Sequence, residues 1–178
     1  MLGFGGRIIQ LITYGAQLRF VGDDFVPVYF DSTYDIARAE RYALTEGTLS
    51  TPGFIGWFAT LGMSLLNDSI VFKASLDGPL GEVDPDNDQN YLNYPHLTGF
   101  FEVTEGLLPG FFFDASYDKV LIREPRDLIR SFGSVIKTRL NYRSGPAIIS
   151  FFYLLRYNTH DWNEPEVSSG LETLVRLN

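Results

Sequence analysis

Two histidines and one run of alternating aspartates are the residues whose types and spacing point to chemistry. His160 precedes Asp161, and an Asp–His pair is the general base of many hydrolases. The acidic run in residues 84–90 alternates like the start of a calcium loop, but it lacks the glycine and the distant glutamate of an EF-hand. Both His96 and His160 fall in or beside long predicted loops, where a solvated side chain is the commoner role. We therefore predict no catalytic residue, no metal and no cofactor, and we keep a hydrolase only as a third interpretation.

Ten charged residues form the more informative set, because alternation along the predicted strands places them on one polar face. One interpretation is that they line a conduit and select the ions or solutes that pass through it. The other is that they pair with one another and plug a narrow barrel. The ten candidate lumen residues are Asp31, Asp35, Lys73, Asp77, Glu102, Asp114, Asp118, Lys137, Arg139 and Arg156.

The composition excludes several classes of function. The 178 residues include 14 basic and 22 acidic side chains, and the net charge of −8 argues against a nucleic-acid partner. The absence of cysteine excludes disulfides, thiolate metal sites and thiol nucleophiles. No apolar run is long enough for a membrane-spanning helix. Aromatic residues make up 15% of the chain, which is high for an ordinary soluble domain.

The strands that must position these charges are clearest in residues 97–117. Apolar residues occupy the odd positions and mainly polar residues the even ones, in two runs joined at Pro109 and Gly110. Period-two alternation on both sides of a tight turn predicts a long antiparallel hairpin. Residues 36–44 and 124–130 instead favour short helical segments.

The same pattern recurs along the chain, with short turns and long connections in strict alternation. The fold class that we predict is an all-β, antiparallel up-and-down meander barrel of about 8–10 long strands, with short turns on one rim and long loops on the other. Residues 1–178 form one domain in this interpretation. The nine predicted strands span residues 8–21, 25–36, 53–66, 69–77, 97–107, 111–117, 133–143, 147–157 and 168–177.

An odd number of strands leads to a further hypothesis, since bacterial barrels of this type close with an even number. Either a strand is missing before Gly6 or the last predicted strand is false. We therefore hypothesise that the chain is the C-terminal portion of a longer barrel.

Three features favour a membrane barrel over a soluble one, in which the apolar face would point inward. The polar face is rich in Gly, Ser and Thr with few charges, the turns alternate short and long, and the strands are about 10–13 residues long. The alternative is a soluble β-barrel that binds a small apolar ligand.

The whole chain resembles bacterial outer-membrane β-barrel proteins in its pattern. Residues 168–175 resemble the C-terminal signal read by the barrel assembly machinery. Residues 14–80, including Gln17-Leu18-Arg19-Phe20 and Asp77-Gly78-Pro79-Leu80, are similar to late strands of the insertase and patatin-associated surface-antigen barrels.

This resemblance implies a porin-like or envelope-structural protein of the bacterial outer membrane. It would have a polar lumen and act in passive transport or in envelope structure, and the third interpretation is then an outer-membrane hydrolase. Membrane lipid and the assembly machinery would be its partners. The sequence leaves its oligomeric state open.

Overall fold

The computed structural model describes residues 1–25, 38–47, 51–83, 91–157 and 165–175. The described residues form one antiparallel sheet of nine strands, in which every strand pairs with its neighbours in chain order. This confirms the predicted all-β, up-and-down meander. The strands are β1 (Leu2–Ile8), β2 (Ile12–Val21), β3 (Phe54–Leu65), β4 (Ile70–Pro79), β5 (His96–Leu108), β6 (Phe111–Lys119), β7 (Ser134–Ser144), β8 (Ala147–Tyr157) and β9 (Glu166–Val175).

Short helices occupy three long connections, and two of them were predicted. Helix α1 spans Arg38–Thr45 and a 3₁₀ helix spans Pro125–Ile129, as predicted, whereas the 3₁₀ helix over Tyr91–Asn93 was not predicted. Pro125 opens the last of these, at the position where a missing N–H costs nothing. Within the described ranges, no helix has the length and hydropathy needed to cross a membrane.

The hairpin of β5 and β6 is confirmed, with one irregularity. Pairing runs from Leu97 opposite Lys119 to Val103 opposite Phe113, and it resumes at Leu108 opposite Phe111. The extra residues bulge out around Gly106, whose φ of +114° favours glycine. The alternation predicted through Glu105 and Leu107 is therefore interrupted by this bulge, just before the hairpin turn.

The start of the chain differs from the prediction of one strand over residues 8–21. The backbone turns at Ile9 and Gln10, which have φ values of 52° and 56°, and β1 pairs back onto β2 from Leu2 to Ile8. Glycines at positions 3, 5 and 6 dilute the apolar alternation of β1, so the prediction missed this strand.

The predicted second strand, residues 25–36, lies almost entirely outside the described residues. Both edges of β2 are occupied, by β1 on one side and β3 on the other. The predicted short turn at residues 22–24 is present, because the Phe25 N–H donates to the Gly22 carbonyl over 3.4 Å, but it does not join β2 to a paired strand. Instead, the Asp24 carboxylate accepts the Thr51 N–H and the Asp23 carboxylate accepts the Gly53 N–H, which joins the two ends of the long connection between β2 and β3.

The strands are staggered as in a barrel wall. Following the pairings straight across the sheet from Ile12, at the short-turn end of β2, leads to Tyr153 on β8. Tyr153 lies six residues (153 less 147) from Ala147, the short-turn end of β8. The offset along the strands is therefore six residues of about 3.3 Å each, and the distance across the sheet is six strand spacings of about 4.8 Å each. The ratio of these two lengths corresponds to a strand tilt of about 35° from the barrel axis. Barrel strands are typically tilted by about 35–45°.

The sheet is open between its first and last strands in the described part of the chain. No pairing joins β1 to β9 there. Both strands run from the long-connection end toward the short-turn end, because the sheet holds an odd number of alternating strands. Direct closure between them would therefore be parallel.

Candidate functional site

The two faces of the sheet differ in exposure in the opposite sense to a soluble barrel. On β3, Ile55, Leu61 and Met63 on the apolar face are exposed, whereas Gly56 and Thr60 on the polar face are buried or half-buried. On β8, Phe151 is 48% exposed and the neighbouring Ser150 is 8% exposed. The polar face, which carries the predicted lumen residues, is therefore the sheltered face of the sheet.

A chain of hydrogen bonds crosses three strands on the polar face. Ser150 on β8 donates to Asn141 on β7 over 2.6 Å, and the Asn141 amide donates to the Asp114 carboxylate on β6 over 3.3 Å. Asn141 is only 3% exposed, so its amide depends on these partners. A second contact, of 2.9 Å, joins the hydroxyls of Thr60 and Ser75 across β3 and β4.

A charged cluster occupies the polar face at the long-connection end. His96 lies between two carboxylates, with Nδ1 3.8 Å from Asp77 and Nε2 3.6 Å from Asp118. The Arg19 guanidinium is 3.9 Å from Asp77 and stacks on the Phe58 ring at 4.3 Å. This cluster links β2, β3, β4, β5 and β6 at one rim.

Further ion pairs lie toward the margins of the polar face. Arg156 is 3.4 Å from Glu166, which ties β8 to β9. At the short-turn end, Arg143 donates to Glu105 over 2.7 Å. Arg7 pairs with Asp68, with one contact of 3.3 Å. Most charges at the two rims are thus neutralised by a neighbouring strand.

The middle of the polar face carries the remaining predicted residues. Glu102 lies opposite Asp114, and Asp114 lies opposite Arg139. Lys73 and Lys137 occupy the adjacent row, separated by Phe100 and Ser116. Among the residues that the structure describes, these two lysines and Arg139 have no ion-pair partner, and Arg139 Nε is buried without a hydrogen bond.

The structure thus places eight of the ten predicted lumen residues on the same face. The other two, Asp31 and Asp35, lie outside the described residues. His160 and the acidic run of residues 84–90 lie outside them as well, so those two interpretations stay predictions.

Sequence reasoning missed two members of the rim cluster, His96 and Arg19. The sequence did contain a signal, because both residues lie near a strand end and alternate in step with the polar side chains of their strands. His96 lies beside a long connection, as predicted, because it is the first residue of β5, and its side chain sits half-buried between Asp77 and Asp118.

The apolar face contains a groove of about 590 Å³ across β3 to β7. Small residues form its floor, where Ala74 pairs with Gly99 and Ala115 follows on β6. Leu61 and Tyr117 are among the residues of its walls. Such a groove accepts apolar chains and offers almost no hydrogen bonds.

Nothing in this arrangement forms a metal centre. Within the described ranges, no group of three or more His, Asp or Glu side chains is placed to hold a metal ion.

Comparison with protein-family models, curated proteins and solved structures found no match to this chain.

Proposed function

We propose that this chain forms the wall of a β-barrel in a bacterial outer membrane, with a polar interior that serves passive transport or envelope structure. The observation that carries the proposal is the exposure of the apolar face. In water, strands would shelter residues such as Leu61 and Phe72, because apolar burial is the main stabilising term in folding. In a membrane barrel the same residues face lipid and the polar residues face the lumen.

The height of the apolar face supports this proposal. On β3 every second residue from Ile55 to Leu65 is apolar, which is a run of eleven residues whose ten steps cover about 33 Å at about 3.3 Å per step. At a tilt of about 35° this run spans about 27 Å. The lipid-facing band of a transmembrane barrel is about 25 Å tall.

The alternative, a soluble barrel with an apolar ligand, requires apolar side chains on the sheltered face. That face instead carries the chain of Ser150, Asn141 and Asp114 and the cluster around His96. Four phenylalanines also lie on that face, and each is paired across the strands with a polar or charged residue: Phe58 with Asp77, Phe100 with Lys73, Phe112 with Asn141 and Phe152 with Arg139. The sheltered face therefore suits water and ions better than a hydrophobic ligand.

Within the proposed barrel, the ion pairs at both rims favour a filled interior over a wide pore. A barrel of about eight strands is just wide enough for its side chains to fill it. A wall of nine or ten strands would leave a narrow passage, with Lys73, Lys137 and Arg139 as the charges that a solute would meet.

The test is refolding of the urea-denatured chain in plain buffer and in detergent micelles, followed by circular dichroism and gel electrophoresis of heated and unheated samples. The proposal predicts β-sheet signal only in detergent, with unheated protein migrating differently from heated protein. A monodisperse, folded protein in plain buffer would contradict it and favour the soluble barrel.

A further inference from the structure

The connection between β6 and β7 differs in charge from the three other long connections. Residues 22–53 carry six acidic and two basic side chains, residues 80–95 carry four acidic, and residues 158–165 carry two acidic, with no Lys or Arg in the last two. Their net charges are −4, −4 and −2. Residues 120–133 carry three arginines against two acidic residues, a net charge of +1. In a chain of net charge −8, this segment is an isolated basic patch.

The basic connection is held in one conformation by a buried carboxylate. Asp127 accepts hydrogen bonds from the N–H groups of Arg123 and Glu124 over 3.0 and 3.1 Å. Arg130 reaches the same carboxylate over 3.3 Å. Residues 120–122, Val-Leu-Ile, are buried beneath it. Residues 120–133 therefore form a defined surface, which we call the platform.

The platform presents cations and two aliphatic side chains to the outside. Ile129 is 90% exposed and Leu128 is 37% exposed, although aliphatic residues in water gain by burial. The Arg126 side chain is 64% exposed and, among the described residues, pairs only with the partly exposed Glu124, while half of the Arg130 side chain is exposed. An aliphatic residue beside guanidinium groups is typical of segments that lie in the headgroup region of a membrane.

The platform also continues onto the apolar face. Lys119 stands on the apolar-face parity at the end of β6, and its Nζ donates to the Phe132 carbonyl and lies 3.7 Å from the Phe132 ring centre. Tyr117, two residues before Lys119 on β6, and Ile136, two residues after the start of β7, line the apolar groove. Guanidinium groups above an apolar groove match a lipid, which has a phosphate above acyl chains.

We propose that residues 120–133 bind the phosphate headgroups of anionic membrane lipids through Arg126 and Arg130, with Ile129 inserted among the upper acyl carbons. The occupant is a phosphate-bearing lipid, because the patch is the one net-basic connection and joins an apolar groove. The groove part of the inference rests on the proposed membrane barrel.

The experiment uses a fluorescent label, which the absence of natural cysteine makes simple. Ile129→Cys is labelled with an environment-sensitive dye, refolded in detergent and reconstituted into vesicles of phosphatidylcholine alone or with 30% phosphatidylglycerol. Leu80→Cys is the matched control, an exposed aliphatic residue on a net-acidic connection at the same rim. The dye on Ile129→Cys is expected to shift to the blue with phosphatidylglycerol and to revert in high salt, whereas the control is expected to be insensitive to both.

Arg126→Gln in the labelled protein supplies the second arm. It is expected to weaken the response to phosphatidylglycerol by about fivefold, as removal of one basic residue at an anionic surface does. Arg38→Gln, an exposed arginine on a net-acidic connection, is expected to leave it unchanged. Equal dye spectra in the two vesicle types, or an Arg126→Gln response equal to that of the parent, would overturn the inference.

The two proposals fail in distinguishable ways. Heat-modifiable, vesicle-inserted protein whose Ile129 label ignores phosphatidylglycerol would overturn the lipid site alone. Protein that does not insert would overturn the membrane barrel. Lipid binding by the patch would then be supported only if the soluble chain bound anionic vesicles in a salt-sensitive manner.

Discussion

The two faces of β7 and β8 differ sharply in the exposure of their side chains. Ser150 and Asn141 on the polar face are almost fully buried, while Ile149 and Phe151, one residue to either side of Ser150, are 43% and 48% exposed. Neighbours in the same strand thus meet opposite surroundings, and the apolar ones meet the outside. The polar face is therefore the sheltered side of this sheet, and the same substitution is expected to have a large effect on one face and a small effect on the other.

The largest expected effect comes from a charge on the apolar face. Leu61→Arg, near the middle of the band on β3, should lower the free energy of unfolding in lipid vesicles by about 2–4 kcal/mol, because a charge at the bilayer midplane is poorly solvated. Unfolding of the vesicle-inserted protein in guanidinium chloride measures this change in the free energy of unfolding. Gln17→Arg is the matched polar-face control and should change stability by less than about 1 kcal/mol. Equal tolerance of both arginines would remove the distinction between the faces.

A smaller effect is expected from breaking the hydrogen-bond chain on the polar face. Asn141→Leu should cost about 1–3 kcal/mol in the same assay, since it leaves Ser150 and Asp114 without a shared buried partner. The conservative Asn141→Gln retains the amide and separates polarity from packing. A stability gain in Asn141→Leu would indicate that this face is an apolar core.

The cluster at the long-connection rim should contribute less. His96→Gln should cost about 1 kcal/mol, because it removes the group between Asp77 and Asp118, which are only partly exposed. Arg156→Gln tests a pair whose acidic partner, Glu166, is largely exposed, and it should cost less than His96→Gln. If the two substitutions have the reverse order, the cluster around His96 does not hold the rim together.

The smallest effect concerns the pair of Arg7 and Asp68 at the short-turn rim. The hydrogen bond from Arg7 keeps the pKa of the Asp68 carboxyl below its ordinary value. The stabilisation is therefore present above the ordinary pKa of aspartate, about 3.9, and is lost as the pH falls through the lowered value. Arg7→Gln should return the pKa of Asp68 toward 3.9, which carbon NMR of the carboxyl would follow. An unchanged titration curve would show that the pair does not form in solution.

The sequence predicted the features that depend on period-two alternation. The hairpins of β3 with β4, β5 with β6 and β7 with β8 and the common face of eight lumen candidates all follow from it. It failed where glycines carry no face preference, as in β1, and where a bulge resets parity at Gly106. It also missed the partners of β2, which pairs with β1 and with β3, whose start is tied to Asp24 through Thr51 across a long connection.

The site could be predicted as a face but not as a set of pairs. Alternation assigns Asp77, Asp118 and Arg156 to the polar face, yet their pairing depends on the stagger between strands, which alternation does not encode. His96 shows this directly, since its partners come from β4 and β6.

The most direct test of the exposed apolar face uses Trp57, which lies on that face of β3. Trp162→Phe leaves Trp57 as the single tryptophan, which is excited selectively over the ten tyrosines. The protein is reconstituted into vesicles whose acyl chains carry bromine. If the apolar face contacts lipid, the brominated chains quench Trp57 strongly and aqueous iodide quenches it little. Quenching by iodide with no effect of bromine would show that the apolar face does not contact lipid.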